Sequence, residues 1–143
     1  MTKVRRAAFV PFSATQMFDV VNDVESYPEF LPWCEAATIL IDEPQCMQAR
    51  LTINKGRFRY SFTTSNRLER GRSIRIGLID GPFRKFTGAW RFDDADGGCM
   101  VHFELEFEFS NRLLAAALNA VFKPIADSQV DAFKRRAHAL YAA

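Results

Sequence analysis

The sequence predicts an α+β fold: a curved antiparallel sheet of about seven strands wrapped around a long C-terminal helix, with two short helices after the first strand. Three observations carry that expectation. Period-two alternation runs almost unbroken from Cys34 to Phe109, a helix-capping motif follows the first strand at Ser13, and helical periodicity takes over after Asn111.

Lys3 to Pro11 reads as the first strand, with the facing of Arg5 and Arg6 left open. Ser13-Ala14-Thr15-Gln16 is a capping box, and Met17, Val20, Val21 and Val24 behind it mark one face of an amphipathic helix. Tyr27 to Trp33 contains two prolines, which limit it to a short helical segment or an ordered loop. Met47, Ala49, Leu51 and Ile53 alternate with polar neighbours, and after Gly56 the apolar set becomes Phe58, Tyr60 and Phe62. Ile74, Ile76 and Leu78 form the next set, followed by Phe86, Trp90 and Phe92 with Gly88 between them. Asp96-Gly97-Gly98 signals a hairpin. Beyond it, Val101, Phe103, Leu105, Phe107 and Phe109 oppose His102, Glu104, Glu106 and Glu108, the mark of a strand with one covered and one wet face. The final helix, about 45 Å long over Asn111 to Tyr141, turns Leu114, Leu118, Val121, Phe122, Ile125 and Phe133 to one side. Pro124 is expected to kink or split it after Lys123.

A length of 143 residues fits a single domain spanning residues 1–143, large enough to need neither disulfide nor metal. Cys34, Cys46 and Cys99 show no metal-ligand spacing and read as reduced thiols of a cytoplasmic protein. No apolar run is long enough to span a membrane. A net charge of +2 is too balanced to indicate DNA binding from bulk charge. The fourteen phenylalanines stand out: they imply an unusually aromatic core or an aromatic cavity.

Three segments carry a resemblance to a known family. The first is Val21-Asn22-Asp23-Val24-Glu25-Ser26-Tyr27-Pro28-Glu29-Phe30-Leu31-Pro32-Trp33-Cys34. The second runs from Leu78 to Phe86 and on through Gly88-Ala89-Trp90-Arg91-Phe92, and the third from Phe103 to Leu114. Together they resemble the polyketide cyclase/coenzyme Q-binding family of START-like, helix-grip proteins, with the first two closest to its bacterial branch of ribosome association toxins. The resemblance implies a protein that holds a long apolar molecule between the C-terminal helix and the sheet. Mitochondrial relatives bind coenzyme Q and support respiration. The bacterial relative associates with the large ribosomal subunit and blocks subunit joining, inhibiting translation.

Candidate site residues follow from both readings. Phe30, Trp33, Phe58, Tyr60, Phe62, Ile76, Leu78, Trp90, Phe103, Leu105, Phe107, Leu118 and Phe122 are candidates to line an apolar cavity, or else simply to fill the core. Tyr60 is the candidate polar handle for a quinone carbonyl. Tyr27 to Trp33 reads equally as a plug or as a gate over the cavity mouth, with Phe83 as a candidate rim residue. Lys55, Arg57, Arg59, Arg67, Arg70, Arg72 and Arg75 are candidate contacts for ribosomal RNA phosphates, with Lys134-Arg135-Arg136 a second basic run. Lys85 and Arg91 are expected to pair with the glutamate stripe instead. His102 and His138 lack a nucleophile and an orienting acid, so no catalytic residue is assigned and a cyclase-type enzyme trails both binding readings. No cofactor is required, although a bound ubiquinone or other isoprenoid lipid fits. The expected partners are an apolar, quinone-like molecule and, on the alternative reading, the large ribosomal subunit.

Overall fold

A computed structural model describes residues 1–142. Strand β1 (Thr2–Val10) leads into helix α1 (Ala14–Asn22), a 3-10 turn (Val24–Ser26) and the single turn α2 (Tyr27–Phe30). Six strands follow: β2 (Cys34–Glu43), β3 (Cys46–Lys55), β4 (Phe58–Glu69), β5 (Ser73–Asp80), β6 (Phe83–Ala95) and β7 (Gly98–Phe109). Helices α3 (Arg112–Asp127) and α4 (Gln129–Tyr141) end the chain. All seven strands form one antiparallel sheet in the order β1-β7-β6-β5-β4-β3-β2, so the first strand pairs with the last. The inward residues of these strands and the apolar faces of α1, α3 and α4 form one continuous core.

The capping box forms as the sequence predicts. The Gln16 amide donates to Ser13 Oγ at 3.1 Å, and the Ser13 amide donates to Gln16 Oε1 at 2.9 Å. Asp94 adds a third bond by accepting from the Ala14 amide at 2.9 Å, which ties the start of α1 to β6. Ser13→Ala is expected to cost about 1 kcal/mol, read as a lowered urea midpoint at unchanged m-value. A shift under about 0.3 kcal/mol would show that Asp94 alone holds this end.

The C-terminal helix departs from expectation. Pro124 lies inside α3, and the break comes at Ser128 rather than after Lys123. Ser128 Oγ and Gln129 Nε2 each donate to the Ile125 carbonyl at 2.9 Å, and the Ser128 amide also reaches it at 3.2 Å. That carbonyl is the one the Gln129 amide needs to continue the helix, so the side chains compete with the backbone and stop it. Two helices of about 24 Å and 20 Å replace the expected single one.

Phe83 also departs from expectation: it is buried, not a rim residue. A register shift between Phe83 and Lys85 marks a bulge that returns Phe83 to the same face as Phe86. Its ring stacks on Phe109 at 4.8 Å.

The wet face carries the glutamates. Glu106 binds Lys3 at 3.5 Å and Lys85 at 3.3 Å, Glu104 binds Arg5 at 3.4 Å, and Glu108 binds Arg84 at 2.7 Å. These cations hold the Glu106 and Glu108 carboxyls below the usual range through hydrogen bonds from Lys85 and Arg84. Arg91 does not join them, because its cross-strand neighbour is His102 and it turns to Asp93 at 3.0 Å. Arg5 and Arg6 face opposite ways: Arg6 reaches over the edge to Asp127 at 2.7 Å, beside the helix break. Among the described residues, no helix is long and apolar enough to cross a membrane.

Candidate functional site

Strand register builds the site. Asn66 on β4 stands opposite Ile76 on β5, which stands opposite Gly88 on β6 and then Leu105 on β7, a single row across the inner face. Thr64 and Phe62 precede Asn66 at period two, and Trp90 pairs with Phe103 one row further on. Above this face, Phe122, Ile125 and Ala126 of α3 and Gln129 and Phe133 of α4 close over the gap. Val24, Tyr27 and Trp33 close one side, Ala49 and Leu51 of β3 another, and Phe86 completes the wall. The cavity measures about 90 Å³.

Its walls are aromatic. The Trp90 ring lies 4.5 Å from Phe103 and 5.3 Å edge-on from Phe133, while Phe62 lies 5.4 Å from Phe86. Polar groups are few: Thr64, Asn66, Gln129 and the Tyr27 hydroxyl. Gln129 is engaged with the Ile125 carbonyl, and Tyr27 donates to the Val21 carbonyl from a buried position that pushes its pKa up. Asn66 is different. It is 8% exposed, and its Oδ1 is sealed from solvent without a hydrogen-bond partner.

The structure brings together Trp33, Phe62, Ile76, Trp90, Phe103, Leu105 and Phe122 of the sequence candidates. It does not place Phe30, Phe58, Tyr60, Leu78, Phe107 or Leu118 on the wall. Phe107 is packed behind it, 4.8 Å from Phe122. Phe30 lies outside, with its ring under the Arg136 guanidinium at 4.8 Å and against Phe133 at 5.6 Å. Phe58 and Tyr60 sit toward the β3–β4 turn, half-buried, and burial alone pushes the Tyr60 pKa up. The Tyr60 hydroxyl is sealed without a partner, away from the cavity wall on which a quinone handle would have to stand. Leu78 is half-buried, and Leu118 packs into the core under α3.

Among the wall residues that sequence reasoning missed are Thr64, Asn66, Phe86, Gln129 and Phe133. A signal for two of them existed. Thr64 and Asn66 continue the inward parity of Phe62, so two polar side chains fall on an otherwise apolar face.

Tyr27 to Trp33 is well packed: Tyr27, Leu31 and Trp33 are buried, and Tyr27 meets Phe133 edge-on at 5.3 Å. Trp33 has a second aspect. Besides the cavity it lines an outer groove with Phe30, Pro32, Ser128 and Ala132, rimmed by Lys55 and Arg135. It therefore stands between the cavity and the surface, next to the helix break.

The seven basic candidates do not form one patch. Lys55, Arg57 and Arg59 lie at the β3–β4 end and Arg70 and Arg72 at the β4–β5 end, separated by the length of β4, about 35 Å. Arg59 is taken up by Glu35 and Arg70 by Asp19 at 3.1 Å. Arg67 and Arg75 stand directly opposite each other on β4 and β5, both exposed, with no salt bridge to either among the described residues. In the C-terminal run Arg136 meets Glu29 at 3.5 Å.

Catalytic groups are not gathered at the cavity. Among the described residues its wall holds no carboxylate, imidazole or amine, and no cluster of three metal-ligating side chains occurs anywhere. His102 lies on the wet face, 3.3 Å from Asp93, and His138 packs edge-on against Phe12. Cys34 and Cys99 are buried, and burial pushes both thiols up to about 11.

This arrangement of sheet and helices recurs in known structures. The chain is 43% identical over 144 residues to the ribosome association toxin RatA of Escherichia coli K12, covering 100% of this chain and 91% of that protein. It is 27% identical over 135 residues to the Xenopus laevis mitochondrial coenzyme Q-binding protein COQ10 homolog B, covering 91% of this chain and 55% of the frog protein. The crystal structure of the Zhui aromatase/cyclase from Streptomyces sp. R1128 superposes with a TM-score of 0.84 at 18% identity, over 96% of this chain and 93% of that one, a likeness of fold alone. The family described as polyketide cyclase / dehydrase and lipid transport matches residues 10–134, and the chain belongs to it.

Proposed function

We propose that the chain is a non-catalytic binding protein that holds an apolar, ring-bearing ligand of the isoprenoid quinone kind between its sheet and its C-terminal helices. The observation that carries this reading is the aromatic cavity itself, with few polar groups and no catalytic set on its wall. At about 90 Å³ it is smaller than the about 300–1,000 Å³ of ordinary ligand pockets. A ring is therefore the part that enters, after some widening, and a tail leaves past Trp33 through the outer groove. The likeness to a coenzyme Q-binding protein supports the same ligand class. The test is native mass spectrometry and organic extraction of protein purified from its own host. A co-purifying isoprenoid quinone, in oxidised or reduced form, is expected; an empty protein that also fails to take up either added form would overturn the reading.

A second reading, association with the ribosome, rests on the 43% identity to ribosome association toxins along the full chain. Its candidate contact is the exposed Arg67–Arg75 pair. Like charges directly opposite on neighbouring strands oppose folding, and a phosphate between them would remove that repulsion. The double reversal Arg67→Glu, Arg75→Glu is expected to leave thermal stability within about 0.5 kcal/mol of wild type. In sucrose gradients it should at least halve co-sedimentation with large subunits at low salt. Unchanged co-sedimentation would exclude this face as the contact.

A further inference from the structure

Three side-chain polar atoms among the described residues are sealed from solvent without a partner: Asn22 Oδ1, Tyr60 Oη and Asn66 Oδ1. Only Asn66 lies on the cavity wall. An amide oxygen is a pure acceptor, and leaving one unpaired in a dry site is unfavourable enough that such atoms ordinarily find a donor. No group of the surrounding protein is bonded to it. Gln129 directs one N–H at the Ile125 carbonyl, Tyr27 gives its only O–H to the Val21 carbonyl, Thr64 makes no bond to Asn66, and the other neighbours on the wall are apolar.

We infer that Asn66 is the recognition point of the cavity and that it selects a ligand whose ring carries a hydroxyl group, a phenol or hydroquinone, over the same ring without a donor. The inference rests on the apolar-ligand reading above and sharpens it. A quinone ring presents only acceptors, so its carbonyls meet the Asn66 oxygen as like partial charges. The reduced ring presents O–H donors and satisfies it. A saturated acyl chain has no donor and gains nothing at this point, although it fits the apolar walls. The flat faces of Trp90, Phe103 and Phe133 favour a ring at this depth, because offset and edge-on contacts with aromatic walls add to simple burial. Asn66 sits in the same cross-sheet row as Gly88, and Leu105 Cδ1 and Ile76 Cδ1 pack over that glycine, 3.2 Å and 3.6 Å from where a Cβ would stand.

A matched pair of probes tests this without redox chemistry: 4-decylphenol and 4-decylanisole, in which a methyl replaces the hydroxyl hydrogen and removes the donor. Binding to the full chain is measured by isothermal titration calorimetry for wild type, Asn66→Leu and Asn66→Ala. Wild type is expected to favour the phenol by about tenfold, the worth of one hydrogen bond to an otherwise unpaired buried acceptor. Both variants are expected to bind the two probes within about twofold of each other, with anisole affinity kept or raised. Asn66→Ala serves where the larger leucine closes the cavity. Equal binding of the probes to wild type, or a phenol preference that survives both substitutions, would overturn the role of Asn66 while leaving the cavity as a ligand site. Binding of neither probe to any of the three proteins would overturn the ligand reading and this inference with it.

Discussion

Phe122→Ala is expected to destabilise the protein by about 3–5 kcal/mol, the largest loss for any single ring in the core. Phe122 is 3% exposed, and its ring lies 4.8 Å from Phe107, 5.2 Å from Phe83 and 6.1 Å from Phe109. Those partners come from β6 and β7, so Phe122 fastens α3 to the β1-side half of the sheet. The neighbours are themselves rings on rigid strands and cannot collapse into the space, which places the cost at the high end of the range for such truncations. For a chain of this size the melting temperature should fall by roughly 10–20 °C. Leu113→Ala is the control: Leu113, on the same helix, is 81% exposed and should change stability by less than about 0.5 kcal/mol. Urea unfolding of the three proteins decides it. A loss below about 1.5 kcal/mol for Phe122→Ala would mean that α3 is not anchored by this cluster.

Gly98→Ala is expected to rank beside it, at about 3 kcal/mol or more, for a different reason. A Cβ on Gly98 would stand 1.9 Å from the Val10 carbonyl oxygen and 2.9 Å from Pro11 Cα. Both obstacles are backbone, so no side-chain rotation relieves the clash, and β1 or β7 must move. Val10 pairs with Cys99 at the end of that ladder, and the Cys99 side chain is fully buried, so the displacement reaches the core. Gly56 is the comparison: its φ is 63°, but a Cβ there meets nothing within 4 Å. Gly56→Ala should therefore cost only about 1–2 kcal/mol, the strain of a left-handed backbone. Chemical denaturation, with hydrogen exchange at Val10 and Cys99, separates the two. Equal losses would show that the approach of Val10 to Gly98 is not tight.

The sheet and its inner face were legible in the sequence because they depend on alternation, a local property. Val101 to Phe109 and Met47 to Ile53 face inward as their period-two pattern predicts. The Ser13 cap was equally local. What escaped depends on neighbours distant in the chain. The break at Ser128 follows from two side chains outbidding a backbone amide for the Ile125 carbonyl, whereas Pro124 looked like the obvious interruption. The Phe83 bulge shifts one residue across the sheet, which alternation cannot anticipate. The cavity was legible as an aromatic set but not as a shape. Phe107 and Phe103 share one parity, yet α3 covers Phe107 directly while Phe103 stands over the gap. The basic residues illustrate the same limit: Arg59 and Arg67 lie on one strand face, but only the position of Glu35 shows that Arg59 is already committed.

The pairing of β1 with β7 also governs the order of events during synthesis. Thr2 stands opposite Phe107, so the first strand leaves the ribosome about a hundred residues before its one strand partner among the described residues exists. At a translation rate of about 5–20 residues per second, β1 waits roughly 5–20 s with its hydrogen-bonding groups unmatched. During that interval β2 through β6 can zip as successive hairpins, each closed by a short turn, while the β1 edge stays open to wrong partners. Native closure must then await β7, so a nascent chain stalled near residue 95 should remain sensitive to protease along β1 and lose that sensitivity once β7 has emerged.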